Sequence, residues 1–316
     1  MIIENVTILG GSGFVGKRLA QLLSQRGIAV TVPTRYRERA KSELIVLPTV
    51  SVVEADIHSD ADLDHVLAGT DAVINLVGIL HETRKGAFER AHVELAVKVL
   101  EACRRAGVRR LLHMSALGAD PEGPSRYLRS KGEGEARMLH ASDESVAVTA
   151  FRPSVIFGRG DSFLTLFAKL LRMLPVVALG SPKARFQPVW VEDVVRAFAD
   201  ALADPATFGR RYDLCGPKVY TLRELIELTG KVTGYSRPII GLGPRASYLQ
   251  ALAMEWLPVK LLTRDNLRSM SVDNVCECAW PEVFAFQPSA LEGILPTYLS
   301  PRTTRGYDLY RTRARR

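Results

Sequence analysis

Several features that would settle a function at once are missing from this chain. No HExxH or other metal-ligand spacing runs through its six histidines. Its four cysteines, Cys103, Cys215, Cys276 and Cys278, show no disulfide framework. Cys276 and Cys278 are one residue apart, not the two of redox and zinc pairs, so the expectation is four reduced thiols in a cytoplasmic protein. The opening MIIENVTILGG goes straight into a strand pattern, and no secretory signal is expected. The longest apolar stretches, FLTLFAKLLRMLPVVALG and YLQALAMEWLPVKLL, are broken by proline and by Lys or Arg. Neither offers the roughly 18 clean apolar residues of a membrane span. No repeat or low-complexity segment appears. The net charge is +8, but no recognition motif accompanies it, so nucleic acid is not the expected partner. Much of the excess sits in the terminal PRTTRGYDLYRTRARR, through Arg302, Arg305, Arg311, Arg313, Arg315 and Arg316. Such a tail suits anionic lipid or an acidic partner in a membrane complex, which would place the chain at the inner face of a membrane.

What is present reads as a soluble globular chain of 316 residues, 47% hydrophobic and 24% charged, long enough to bury a core without metal or disulfide support. Short apolar runs alternate with helical patterns through the first half. NVTILG, AVTVPT, VSVVEAD, DAVINLVG, VRRLLHMSA and SVAVTAFRPSVIFG are the expected strands. The helices between them include one from about Ser125 to His140 and one closed by Gly107, while Asp60 or a neighbour should cap DADLDHVLAG. This rhythm predicts an α/β fold with a doubly wound parallel sheet covered on both faces. After Gly158 helices follow one another between proline-rich connections, which predicts a smaller, mainly helical C-terminal cap. The expected division is 1–158, rejoined by about 187–215, against 159–186 and 216–316. The apolar helix from Ser162 to Leu174 could be core of the cap or the wall of a lipophilic pocket, and core is the expectation.

The first strand runs into ILGGSGFVGKRLA, where Gly10, Gly13 and Gly16 give G-x-x-G-x-x-G. Glycine there permits a tight turn, close approach of backbone N–H groups to a pyrophosphate, and close helix packing; the helix N-terminus adds partial positive charge. Ser12, Phe14 and Val15 complete the candidate phosphate loop. An acid about 20 residues beyond such glycines selects NAD by binding the ribose 2′-OH. Here that acid is absent: Thr34 and Arg35 occupy the region, Arg37 is close behind, and Lys17 follows the last glycine. Cations suit a 2′-phosphate, so NADP(H) is the expected cofactor. Asp56 and Ile57, ending the third strand, would flank an adenine, although Asp56 could instead cap the next helix. Asn75, Val77 and Gly78 end the fourth strand, where small or neutral residues can line the cofactor; Asn75 could equally serve the strand end.

Tyr127 and Lys131 stand four residues apart on the helix after the fifth strand, hence on one face. In a nicotinamide site the ammonium would lower the phenol's pKa and hold the nicotinamide ribose, and the phenol would exchange the proton that accompanies hydride transfer. In RPSVIFG, Arg152 and Pro153 could be structural, while Ser154, Val155 and Phe157 could meet the nicotinamide; Pro153, Ser154 and Val155 are counted as candidate cofactor residues.

Together GGSGFVG, ADI, NLVG, YLRSK and RPSVIFG resemble the extended or atypical short-chain dehydrogenase/reductases, and FQPVWVEDVVRAF resembles that family's later segment. More narrowly, SRYLRSKGEGE, RPSVIFGRGDSF and LLTRDNLRSMSVDN resemble the group related to the 39-kDa accessory subunit of respiratory complex I. The resemblance implies a Rossmann-type fold and bound NADPH, without a known reaction. It also implies a catalytic hydroxyl after the fifth strand. Ser115 is the candidate, yet lining up HMSALGAD as in extended members puts Ala116 at that position; adjacent strand residues point to opposite faces. The family's helix asparagine has no clear counterpart, with His92 and Glu94 nearby. Two functions follow: an NADP(H)-dependent oxidoreductase on an apolar carbonyl or hydroxyl compound, lipid or quinone-like, or a non-catalytic NADPH-binding structural or assembly factor for a membrane respiratory complex.

Overall fold

In the computed structural model, residues 1–82, 84–256 and 262–300 are described. The tail arginines from Arg302 onward therefore lie outside the described residues. The chain divides into two compact units: Met1–Pro153 with Val191–Leu214 and Cys278–Phe286, and Ser154–Trp190 with Cys215–Glu277 and the segment from Gln287 onward. The first unit begins β1 (Asn5–Leu9), α1 (Phe14–Gln25), β2 (Ala29–Thr34), α2 (Arg37–Leu44), β3 (Val50–Glu54), α3 (Asp60–Leu67) and β4 (Ala72–Asn75). A π-helical turn, Glu89–Glu94, leads into α4 (Leu95–Ala106), followed by β5 (Arg110–Met114), α5 (Arg126–His140) and β6 (Ala147–Pro153). The second unit takes β7 (Ile156–Phe157), α6 (Leu164–Met173), β8 (Val177–Leu179), β9 (Arg185–Phe186) and β10 (Val189–Trp190). The chain returns to the first unit for α7 (Val191–Ala201) and β11 (Arg211–Leu214). β12 (Tyr220–Thr221), α8 (Leu222–Thr233), β13 (Ile239–Gly241), α9 (Pro244–Met254), α10 (Arg264–Ser269) and α11 (Leu291–Leu299) belong to the second.

The first unit is a Rossmann-like α/β fold. Its seven strands lie in the order β11-β6-β5-β4-β1-β2-β3, all parallel. The order reverses between β1 and β4, and such a switch point opens a crevice beyond the carboxyl ends of the strands, where ligands bind in this architecture. The strands are apolar on both faces because helices cover both. On one face Leu9, Val73, Leu111 and Val148 pack with Leu63, Val99, Cys103 and Met138 of α3, α4 and α5. Ser59, not Asp60, caps α3, its Oγ accepting from the Asp62 N–H. Ser125 caps α5 by accepting from the Leu128 N–H, so Arg126 is the first helical residue. The stretch SVAVTAFRPSVIFG is two elements, not one strand: β6 pairs with β5 and β11, whereas β7 pairs with β10 in the second unit.

The second unit holds a separate core of Phe157, Leu164, Leu171, Val177, Leu225 and Leu295 among others, so α6 does supply cap core through Leu164 and Leu171. The expectation of four reduced cysteines is corrected: Cys215 and Cys276 form a disulfide. Sequence spacing compared Cys276 with its neighbour Cys278, while its partner lies 61 residues away. Cys103 is buried, and burial pushes its thiol up to about 12; Cys278 is exposed and outside any disulfide. Among the described residues no helix is long and apolar enough to cross a membrane, and no group of His, Cys, Asp and Glu could hold a metal.

Candidate functional site

The carboxyl ends of β1, β4 and β5 bring together most of the residues singled out above. After Leu9 the chain turns at Gly10, whose φ of +79° lies in the left-handed region. A Cβ at Gly10 would sit 3.2 Å from the Leu76 carbonyl carbon and 3.3 Å from the Val77 nitrogen, and one at Gly16 would meet the Gly10 oxygen at 2.5 Å. These glycines let α1 begin directly against the ends of β1 and β4. Gly13 is the N-cap, and no side chain caps α1 or places an acid in its first turn. The positive end of that helix is therefore left for an anion. Ser12, Phe14 and Val15 are partly exposed there.

The cations differ in their engagement. Lys17 pairs with Glu43 at 2.6 Å, in contact with solvent. Arg37 folds back, its Nε donating to the Val52 carbonyl at 3.1 Å. Arg35 is exposed, with its guanidinium 6.0 Å from the Tyr36 ring centroid, and the Thr34 hydroxyl accepts from the Tyr36 N–H. Asp56 closes a tight turn by accepting from the His58 N–H, while its own N–H donates to Asp62. It is thus not the cap of α3. Ile57 packs on the core beside α3. Burial first, then Arg90, Arg35 and Lys98, hold His58 below its usual pKa against the opposing Asp56.

At the other end, Asn75 is buried; its Oδ1 accepts from the Val77 N–H and its amide lies 3.3 Å from His113 Nδ1. Both are short-range ties at the strand end. Lys131 is 4% exposed, and its ammonium donates to the Met114 carbonyl at 3.0 Å. A Cβ on Gly78 would stand 3.0 Å from the Lys131 Nζ, so the ammonium borders the chain leaving β4. Burial lowers the lysine to about 8, with Glu135 opposing the shift. Tyr127 stands on the same helix, with its ring edge-on to His92 at 5.7 Å and to Phe88 at 6.0 Å. Lys131 does not lower its pKa as expected: burial pushes the phenol up to about 12. Burial acts in this direction because the phenol's charged form is the one that loss of solvation penalises. Ser115 is buried, and its hydroxyl finds no partner in the protein, as is also true of His113 Nε2. Ala116 is buried as well.

Pro153 closes β6, its carbonyl accepting from the Leu117 N–H. Ser154 and Val155 belong to the second unit, where both are tied to Asn274: the Ser154 hydroxyl at 2.6 Å and the Val155 N–H at 3.1 Å from its Oδ1.

His92 is the site residue that sequence left undefined. It is 2% exposed; its Nε2 lies 3.1 Å from the Ile79 N–H, and its Nδ1 lies 2.8 Å from the Ser130 Oγ. Accepting at Nε2 makes Nδ1 the donor. Ser130 in turn donates to the Tyr127 carbonyl at 3.0 Å. One neutral imidazole thereby joins the strand-4 exit to the tyrosine helix. Burial, then Lys131 and His113, lower its pKa to about 2; burial and Lys131 lower His113 to about 3. Gly134 explains how the turn approaches so closely: a Cβ there would be 2.0 Å from the His92 oxygen. Glu135, also missed, is 2% exposed and takes both oxygens to Arg152. A signal for these was the run KGEGE, whose two glycines lie on different faces of the helix and take the backbone of Asp120 and of His92 in close approach.

A parallel α/β sheet with a glycine turn at its switch point and an uncapped helix facing it defines a nucleotide-binding class of fold. The chain belongs to the NAD dependent epimerase/dehydratase family, whose model matches residues 6–215. It is 36% identical over 230 residues to the mitochondrial NADH dehydrogenase (ubiquinone) 1 alpha subcomplex subunit 9 of Arabidopsis thaliana, which covers 70% of this chain and 56% of that protein. The chain thus matches little more than half the length of that relative. It is 26% identical over 306 residues to the 2-alkyl-3-oxoalkanoate reductase of Stenotrophomonas maltophilia, covering 87% of this chain and 90% of the other. Among solved structures, MoeE5 in complex with UDP-glucose and NAD superposes with a TM-score of 0.70 at 19% identity, over 96% of this chain and 99% of that one.

Proposed function

We propose that this chain binds NADP(H) and uses it to reduce an apolar carbonyl compound. The observation that carries the reading is the Lys131 ammonium, buried and held against Gly78 at the strand-4 exit, on the same helix as Tyr127. In this reading Gly10, Ser12, Gly13, Phe14, Val15 and Gly16 take the pyrophosphate. Thr34 and Arg35, with Arg37 and Lys17 behind, take the 2′-phosphate. Asp56 and Ile57 border the adenine, Asn75, Val77 and Gly78 line the dinucleotide, and Lys131 holds the nicotinamide ribose. Pro153, at the end of β6, borders the nicotinamide. The bound cofactor would supply hydride.

The chain's own residues would manage the proton. With its pKa near 12, Tyr127 is a phenol at neutral pH, suited to donate a proton to a carbonyl oxygen as that oxygen gains charge. Ser115, whose hydroxyl lacks a protein partner, would donate a second hydrogen bond to the same oxygen. The reductase of Stenotrophomonas, aligned over most of both chains, supports this direction. The test is NADPH oxidation across apolar ketones and quinones with the parent chain and Tyr127→Phe. Turnover in the parent and its loss in the variant are expected; no turnover with any carbonyl would overturn the reaction.

A second reading has its own support. The Arabidopsis relative is a named subunit of NADH dehydrogenase, so NADPH could be a fixed ligand in a membrane respiratory complex. Exchange distinguishes the two, because an enzyme must release its oxidised cofactor each cycle.

A further inference from the structure

The second unit carries a lobe whose charge and polarity are one-sided. Residues 162–190 contain Lys169, Arg172, Lys183 and Arg185 and no acid; residues 228–254 contain Lys231, Arg237 and Arg245 and no acid. The two stretches are adjacent in space as well as alike in composition. β8 from the first pairs with β13 from the second, Ala178 opposite Ile240. Arg237 donates to the Leu171 carbonyl, and Gln250 of α9 donates to the Ala178 carbonyl.

The same lobe exposes large apolar side chains. In the β8–β13 ribbon Val177, Leu179 and Ile239 turn into the core, whereas Ala178 and Ile240 turn out, Ile240 being 57% exposed. α9 buries Ser247 and Ala251, which leaves Leu249 63% exposed. Met173, at the end of α6, is 77% exposed and Trp256, two residues past α9, is 87% exposed. Lys169, Arg172 and Arg245 are exposed around them.

We propose that the face built from these two acid-free stretches, on which Arg185 alone of the seven cations pairs with an acid among the described residues, Asp273, is a docking face for an anionic lipid bilayer. Three physical points select that occupant. Apolar tips with Trp256 among them suit the interfacial zone, where an amphipathic ring has one end apolar and the other wet. Lys and Arg without intervening acid are attracted to anionic headgroups, each by about 1 kcal/mol near the surface. A second copy of the same face would bring cations against cations and is disfavoured. The lobe would lie on the membrane and not cross it, consistent with the lack of a spanning helix among the described residues. This surface is independent of the proposed reduction and of the C-terminal arginines.

The test is sedimentation with phosphatidylglycerol-containing vesicles and with pure phosphatidylcholine vesicles. It compares the full chain, a Met173→Ser/Ile240→Ser/Leu249→Ser variant, an Arg172→Glu/Arg245→Glu variant and a chain ending at Ser300. The full chain should bind anionic vesicles at least about thirtyfold better than neutral ones, since two cations alone account for about that ratio. Each lobe variant should lose about tenfold or more, the Arg pair in a salt-dependent manner, while the shortened chain keeps most of the binding. Far-UV circular dichroism confirms that the variants fold; the changed side chains are exposed. Equal binding to both vesicles, parental binding by both lobe variants, or complete loss on removing the tail would each overturn the proposal.

Discussion

Replacing Gly134 by alanine sets two opposed effects against each other. Alanine in a helix interior is favoured over glycine by about 1 kcal/mol. At Gly134, however, the new Cβ would stand 2.0 Å from the His92 oxygen and 3.0 Å from its carbonyl carbon. Ordinary contact begins at 3.4 Å, so α5 and the π-helical turn must separate by about 1.4 Å, the difference of the two distances. Forcing atoms into packed structure costs about 1–3 kcal/mol. The same separation pulls on the hydrogen bond from His92 to Ser130, and a buried polar group left unpaired costs about 1–3 kcal/mol more. The clash therefore wins, with a net loss of about 3 kcal/mol, the middle of the two costs less the helix preference. Gly293, inside α11, is the control: a Cβ there meets nothing within 4 Å, so Gly293→Ala should be neutral or stabilising. Urea unfolding of both variants, at unchanged m-value, checks the contrast. A Gly134→Ala protein as stable as the parent would show that the backbone contact at His92 is not close.

Acid should destabilise the chain early. His92 and His113 stay neutral when folded, with pKa near 2 and 3, but take up protons near 6.5 when unfolded. The unfolded state then binds up to two more protons, so stability falls as pH drops through 6.5, by up to about 2.7 kcal/mol per pH unit; His92→Asn should reduce that slope in urea titrations at stepped pH. Lys131 acts at the alkaline end. Its folded pKa near 8 lies below the ordinary 10.5, so the unfolded state binds the extra proton between those values and stability contributed here rises with pH across that window. Lys131→Ala should abolish that rise, and by calorimetry should also weaken NADPH binding about tenfold through loss of a charged hydrogen bond. Tyr127→Phe should leave nucleotide affinity unchanged in the same titration while stopping turnover.

The frame was legible in sequence where one local pattern sufficed. Alternating apolar runs and helices predicted the six strands from β1 to β6, and Gly10 and Gly16 announced the turn that the left-handed φ and the close approach to β4 require. Ser125 and Gly107 marked helix ends as such residues do. What escaped depended on distant partners. The Cys215–Cys276 bond spans 61 residues, and the pairing of β7 with β10 joins two-residue strands too short for any periodicity. His92 was named without a role, because that role arises from a π-helical turn and from Ile79 and Ser130 on other segments. Tyr127 and Lys131 were recognised by spacing, but their pKa values follow from burial, which spacing does not report.

Nucleotide selection is the most direct test of the central claim, because Thr34 and Arg35 stand where an acid would select NAD. Calorimetric titration of the full chain with NADPH and with NADH, repeated with Arg35→Asp, supplies it. A charged hydrogen bond to the 2′-phosphate is worth about 1.5–3 kcal/mol, so NADPH should bind at least about tenfold more tightly, and the variant should lose or reverse that preference. Equal affinity for the two nucleotides in the parent chain, or binding of neither, would contradict the account.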